Sequence, residues 1–414
     1  LEVQMTGSVE AGEAAKVYAG PRDYRTQGRH AVFPETSHDE IERFNFLTHV
    51  NRFVRGNIQP SIEDAYKVRA EPKFQRENGR KPENRSEARK ALLKEPIYQY
   101  YSVFRRLNME QRQQAGRWVA LRQAEALAEK AAKLTDGDPR LQLDPNIQLP
   151  HYMTEVHHHC MPGSYYEENF PGDVTNAANY DCGFFVTLGG AEEPWLDGMG
   201  ASIARAIKAR FSDLRPKRIL DMGSTIGHNA LSIARAFPEA EVVAVDFGAP
   251  VLRYGLARAK SLGVDNISFV QADAGNLHMF EDGSFDLITS LTLMHEVTYP
   301  VLRKIFAETY RLLSAGGVAA HCDVTNNTSA VSLCTQVVRD WDSYHNNEPF
   351  WKSLRDLDTH EYYKGAGFDE ASFFYAAPIF DRFWGDEDKT VVKSGRIPAE
   401  CGKEFGVQLA GARK

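Results

Sequence analysis

The chain has 414 residues, 43% hydrophobic and 25% charged, with a net charge of −7 at neutral pH. At about 100–200 residues per domain, two or three units with a real apolar core are expected. No apolar run reaches the ~18–20 residues of a membrane span, the acidic balance disfavours a nucleic-acid enzyme, and five widely spaced cysteines speak against a disulfide framework and for a reducing, cytoplasmic setting.

Residues 1–36 are rich in Gly and Ala with scattered charge and read as a flexible arm, and no charged-then-apolar leader opens the chain. From Ser37, with Glu40 three residues on, apolar residues recur at helical spacing (Ile41, Phe44, Leu47, Val50, Phe53, Val54), which predicts a capped helix. Residues 70–86 are polar with two prolines and read as a surface loop. Two or three further helices follow, with Pro96 interrupting or starting one, and the helical unit of residues 37–150 ends in a Pro- and Asp-rich stretch. Residues 151–195 form an aromatic, His-rich connector or lid.

From residue 196 strands alternate with amphipathic helices. The strands are "RIL", "EVVAVD", "ISFVQAD", "FDLITSL" and "GVAAHCDV". That alternation predicts a doubly wound, mostly parallel α/β sheet. The core is expected over 196–324. A substrate-roof insert over 325–358 follows, and then a C-terminal helix and strands over 359–414, with "EASFFYAA" as the last strand.

The stretch "LDMGSTIGHNAL" carries a strand into a helix through two glycines. Gly223 permits a tight turn, and Gly227 lets the backbone approach a ligand where helix N–H groups point outward. The glycines stand as G-x-x-x-G, so neither the dinucleotide fingerprint nor a phosphate-binding loop with a following Lys-Ser/Thr is present. Asp221 beside the turn disfavours a pyrophosphate and suits a cationic ligand group. Asp246 ends the second strand where an acid can accept hydrogen bonds from both hydroxyls of a ribose. Asp273 follows the third, within reach of an adenine amino group.

Residues 196–320, through "ILDMGSTIGHNAL", "VVAVDFGAPVLRYGLARA", "ISFVQADAGNLHMFEDGSFDLITS" and "AETYRLLSAGGVAAHCDV", resemble class I S-adenosylmethionine-dependent methyltransferases, especially small-molecule enzymes similar to those acting on quinone precursors. The resemblance implies a Rossmann-like, seven-stranded sheet and S-adenosyl-L-methionine as cofactor. It implies that Asp221, Gly223, Ser224 and Gly227 hold the methionine part, Asp246 and Phe247 the ribose, and Asp273 and Ala274 the adenine, with Ser290 nearby. Thr225 departs from the family, which often has glycine there.

His295 and Glu296 follow the fourth strand. A methyl transfer to a hydroxyl needs a proton acceptor, and His295 is the candidate base, with packing or helix capping as the alternative. In "HHHC" (157–160) adjacent histidines cannot all turn to one ion on a regular element, and no spaced partner exists, so no metal is expected. Tyr165 and Tyr166 are expected to contact a ligand or to pack between domains. Trp341, Tyr344 and His345 are expected to roof the substrate site or to pack on the N-terminal helices. The expected activity is methyl transfer to a small molecule, with O-methylation preferred over C- or N-methylation or a non-methylating use of the cofactor. Nucleic-acid methylation is disfavoured because "SLTLMHE" stands where an N/D-P-P-Y/F segment is usual, and thiol-linked methylation because no cysteines pair closely. The N-terminal helices are expected to close the pocket or build a homodimer.

Overall fold

The computed structural model describes residues 21–190, 194–324, 331–378, 390–394 and 407–414. Ser37 caps the first helix reciprocally with Glu40, each side chain accepting from the other's backbone N–H. The helical run over residues 38–78 comprises α1 (His38–Phe53), α2 (Gln59–Ala65) and α3 (Glu71–Asn78), joined by π-turns at Val54–Ile58 and Tyr66–Ala70. Pro60 and Pro72 stand just after those wider turns. A proline ring clashes with the carbonyl four residues back, and a widened turn relieves that. The expected surface loop at 70–86 is therefore corrected in its first half, which is helix α3. Then follow α4 (Arg85–Leu92), α5 (Pro96–Leu121) and α6 (Ala124–Thr135), with Pro96 in the first turn of α5.

The flexible arm is corrected over residues 21–36. Tyr24 is fully buried, stacks on Phe44 and donates to the carbonyl of Cys182. Residues 1–20 lie outside the described residues.

The sheet is built from β1 (Leu141–Gln142), β2 (Arg218–Met222), β3 (Glu241–Asp246), β4 (Ile267–Gln271), β5 (Phe285–Leu291), β6 (Leu313–Val324), β7 (Phe374–Pro378), β8 (Thr390–Ser394) and β9 (Val407–Arg413). Their order is β1-β4-β3-β2-β5-β6-β9-β7-β8. β1 through β6 pair in parallel, and β9 runs antiparallel between β6 and β7. The seven expected strands thus gain an edge strand at each side. The segment around "EASFFYAA" supplies β7, which is not the last strand: β9 closes the chain inside the sheet.

Helices α7 (His151–Thr154) and α8 (Thr175–Thr187) form the connector, and α9 (Gly198–Arg210), α10 (His228–Ala236), α11 (Ala249–Ser261) and α12 (Tyr299–Leu312) wind the sheet. Short helices α13 (Leu333–Arg339), α14 (Trp341–His345), α15 (Trp351–Arg355) and α16 (Thr359–Ala366) precede β7. Both sheet faces are buried, as parallel sheets require. Ile219, Val242 and Ala244 belong to one core layer, and Leu220, Val243 and Val245 to the other. The helical unit is tied to this core. Asp181 on α8 takes bonds from His30 Nε2 and the Tyr254 hydroxyl, each 2.8 Å. Val54, Ile62, Tyr98 and Tyr101 share a buried cluster with Val337 and Trp341. Among the described residues no helix is long and apolar enough to cross a membrane.

Candidate active site

In this sheet the order in which strands are added reverses between the parallel neighbours β2 and β5, and ligands of doubly wound sheets bind beyond such a point. A cavity of about 310 Å³ opens there. Its floor is the glycine turn and its neighbours. Gly223 (φ 69°) brings the turn against the loop after β5: a Cβ there would stand 2.8 Å from Leu293 Cδ1. Gly227 (φ 86°) caps α10, and a Cβ would meet Leu231 at 2.5 Å. Asp246 is fixed by backbone, with Oδ2 accepting from Thr225 N–H and Oδ1 from Gly248 N–H, both 2.9 Å. Burial raises its carboxyl above the usual range. Asp273 Oδ1 accepts from Gly275 N–H at 2.7 Å. Gly223, Ser224, Asp246, Phe247, Asp273 and Ala274 all line the cavity.

Asp221 does not line the cavity. Strand alternation turns it to the face of Ile219, toward α10. There its Oδ1 accepts from Asn229 Nδ2 (2.6 Å) and Thr289 Oγ1 (2.8 Å). Its Oδ2 is buried without a hydrogen bond. Burial pushes this carboxyl up to about 7 against those two bonds. The expected contact between Asp221 and the methionine part is corrected: Asp221 braces the turn from behind. Ser290 also stands behind the wall, hydrogen-bonded to His321 Nδ1 at 2.8 Å.

The roof is aromatic. Tyr165 packs edge-on to Tyr180, Tyr180 stacks on Phe184, and Phe184 stacks on His228. All four line the cavity, as do Trp351, Met153 and Met161. Tyr166 is not among the lining residues. Trp341, Tyr344 and His345 also face elsewhere. Trp341 is wholly buried among the N-terminal helices, beneath the Arg105 guanidinium at 4.2 Å. Tyr344 stacks under Arg89, and His345 gives its carbonyl to Arg106. The expected roof is therefore corrected to the alternative: apolar rings on α14 are covered by the nearest apolar helices. From the same insert Trp351, on α15, does reach the cavity.

The opposite end is polar. His295 Nδ1 lies 2.6 Å from Asp323 Oδ1, both side chains almost wholly buried. Asp323 is itself held by the Met294 N–H, 2.6 Å from Oδ2. Burial lowers the imidazole's affinity for protons, yet Asp323, Glu296 and Glu348 outweigh it and raise it to about 9. His159 Nε2 lies 3.0 Å from Glu296 Oε1, and its Nδ1 lies against Glu348 Oε1. His158 Nε2 stands 3.5 Å from Glu296 Oε2. Burial raises the Glu296 carboxyl, but His159, His158 and His295 outweigh it and hold it low; burial and Glu296 drive Glu348 up. Sequence reasoning reached His295 and Glu296 but missed His159, Asp323 and Glu348. Asp323 was findable as an acid ending the strand beside β5.

Residues 219–317 match the family described as "Methyltransferase domain". Demethylmenaquinone methyltransferase of Thermus thermophilus is 38% identical over 103 residues, 25% of this chain and 44% of that one. Malonyl-[acyl-carrier protein] O-methyltransferase of Geobacter sulfurreducens is 36% identical over 120 residues, 28% and 42% of the two chains. The chain spans less than half the length of either relative. A solved structure of phosphoethanolamine N-methyltransferase 2 from Haemonchus contortus aligns at 25% identity and TM-score 0.33, over 42% of this chain and 37% of that one. The matched core is a class I S-adenosylmethionine-dependent methyltransferase domain.

Proposed function

We propose that the chain transfers the methyl group of S-adenosyl-L-methionine to an oxygen of a small organic molecule. The observation that carries this reading is Asp246. Each of its carboxylate oxygens takes one backbone N–H from the floor, which fixes the group in place and leaves lone pairs for the two ribose hydroxyls. Asp273 and Ala274 offer the adenine subsite beside it, and the turn from Gly223 to Gly227 accommodates the methionine part. The cofactor supplies the activated methyl; the chain binds, orients and excludes water.

The aromatic roof suits an apolar or planar acceptor. Relatives named for demethylmenaquinone and for malonyl-[acyl-carrier protein] support an organic acceptor over a nucleic acid. Oxygen is favoured because the polar end gathers groups able to hold and deprotonate an acceptor hydroxyl: Asp323 holds Nδ1 of His295, and Nε2 is turned toward Glu296 Oε1, 3.7 Å away, at the chamber wall. Large exposed apolar side chains on the N-terminal helices, Phe46 and Phe53 on α1 and Tyr100 and Trp118 on α5, support a homodimer through those helices, which sedimentation would test.

Calorimetric titration with S-adenosylhomocysteine, NAD and ATP tests the cofactor reading. Binding of the first alone is expected, and binding of NAD in its stead would overturn it. A screen of phenols and carboxylic acids for S-adenosylhomocysteine release, with the product's methylated atom located by NMR, tests the acceptor. Methylation at carbon or nitrogen would refute the choice of oxygen.

A further inference from the structure

We propose that His159, His295, Glu296 and Glu348 bind one divalent first-row transition ion, zinc foremost, at the polar end of the chamber. One ligand atom from each lies within 4.8 Å of the other three. They arrive from three separate places: the turn His158–Cys160, the turn after β5, and the loop before α15. That convergence argues against the expectation of no metal. The objection that neighbouring histidines cannot share an ion holds, but only His159 of the three is required. The other donors come from far along the chain.

Two observations besides proximity point to a ligand. The Glu348 side chain is wholly buried; its Oε1 lies against His159 Nδ1, while its Oε2, like Glu296 Oε2, is buried without a hydrogen bond. A buried carboxylate without such bonds is costly unless a cation meets it. Second, Asp323 engages His295 Nδ1 at 2.6 Å. A histidine that ligates a metal almost always gives its other ring nitrogen to a carboxylate or carbonyl in this way. Asp323 is the positioning residue here, itself pinned by the N–H groups of Met294 and Val324, each 2.6 Å away.

The donor set selects the ion class. Two imidazoles and two carboxylates suit zinc, iron, manganese or nickel. Magnesium and calcium favour all-oxygen shells, and no thiolate is present for a soft ion. The ion would face the same chamber as the acceptor, since His159, His295 and Glu296 line it. Resting on the proposed methyl transfer, this narrows the acceptor to one with an oxygen donor, such as a hydroxyl beside a carbonyl or carboxylate.

The purified full chain, stripped with a chelator and desalted, is titrated with Zn²⁺, Mn²⁺ and Mg²⁺ by calorimetry, and bound metal is counted by mass spectrometry. The proposal expects one Zn²⁺ per chain, with Mg²⁺ much weaker. His159→Ala and Glu348→Gln should each weaken Zn²⁺ binding at least about tenfold, with S-adenosylhomocysteine affinity retained as the sign of a folded chain. His159 is the safer variant, because its side chain is 27% exposed. A stripped wild-type chain that takes up no ion, or variants that keep full affinity, would overturn the site. An ion that binds while S-adenosylhomocysteine does not would defeat the methyltransferase reading and leave the metal site standing.

Discussion

The floor of the chamber and its polar end are built in opposite ways. The floor is local. Gly223, Thr225, Asp246, Gly248, Asp273 and Gly275 lie at or just past three strand tips, and their hydrogen bonds join carboxylates to backbone. The polar end is assembled at long range. His159, His295, Asp323 and Glu348 come from different elements, and side chain meets side chain. A floor tied to backbone holds one constant ligand, whereas an end made of side chains can change its chemistry without disturbing the strands. The two should therefore respond separately to substitution.

The largest expected effect lies at the polar end. His295→Ala should lower turnover on the order of 10²–10⁴-fold, the usual range for losing a positioned acid–base group. Cofactor affinity should change little, because no floor hydrogen bond involves His295. Parallel loss of both, measured by single-turnover kinetics and calorimetry, would show that the two ends are not separable.

Next is Asp221, beneath the floor. Its carboxyl is pushed up to about 7 by burial, against about 3.9 in an unfolded chain. The folded protein therefore keeps this proton while the unfolded chain releases it. The group's stabilising contribution is full below the unfolded value and is lost as pH rises through about 7. The whole swing is worth about 4 kcal/mol at most. Asp221→Asn removes the titration, so the wild-type melting temperature minus the variant's should be higher at pH 5 than at pH 8. A difference that stays flat with pH would contradict the buried, uncompensated Oδ2.

Asp246→Ala should follow, with cofactor binding weakened by about 3 kcal/mol, on the order of 100-fold, for two hydrogen bonds to a charged acceptor. The polar end should be untouched, so metal uptake should remain. Undiminished affinity in calorimetry would displace the ribose from this tip.

The same contrast explains what could be read from the sequence. Strand ends and glycine turns announce themselves locally, so Gly223, Asp246 and Asp273 could be placed at the cavity, and Gly227 at the start of α10 beside it, from their neighbours alone. The direction of Asp221 was one residue's alternation away, and strand ends are where that parity is hardest to fix. Trp341 was legible as an aromatic that must be covered. What covers it, Arg105 and the N-terminal helices, depends on tertiary packing. Glu348 sits in "HNNEPFW" with no periodicity to mark it. Its role emerges only when the chain brings it to His159.

The smallest effect joins the two regions. Thr225 departs from the usual glycine and holds φ at 45°, a conformation that costs a β-branched residue about 1–2 kcal/mol. Thr225 and Tyr180 of the roof line the same cavity. Thr225→Gly would relieve the strain. It would also free about 0.5–1 kcal/mol of unfolded-chain entropy, which opposes that gain. These terms nearly cancel, so the melting temperature should scarcely move, and the backbone N–H to Asp246 should keep cofactor affinity close to wild type. A loss of several kcal/mol would mean that the hydroxyl couples floor to roof, and the separation between the local and the long-range halves would then fail at this residue.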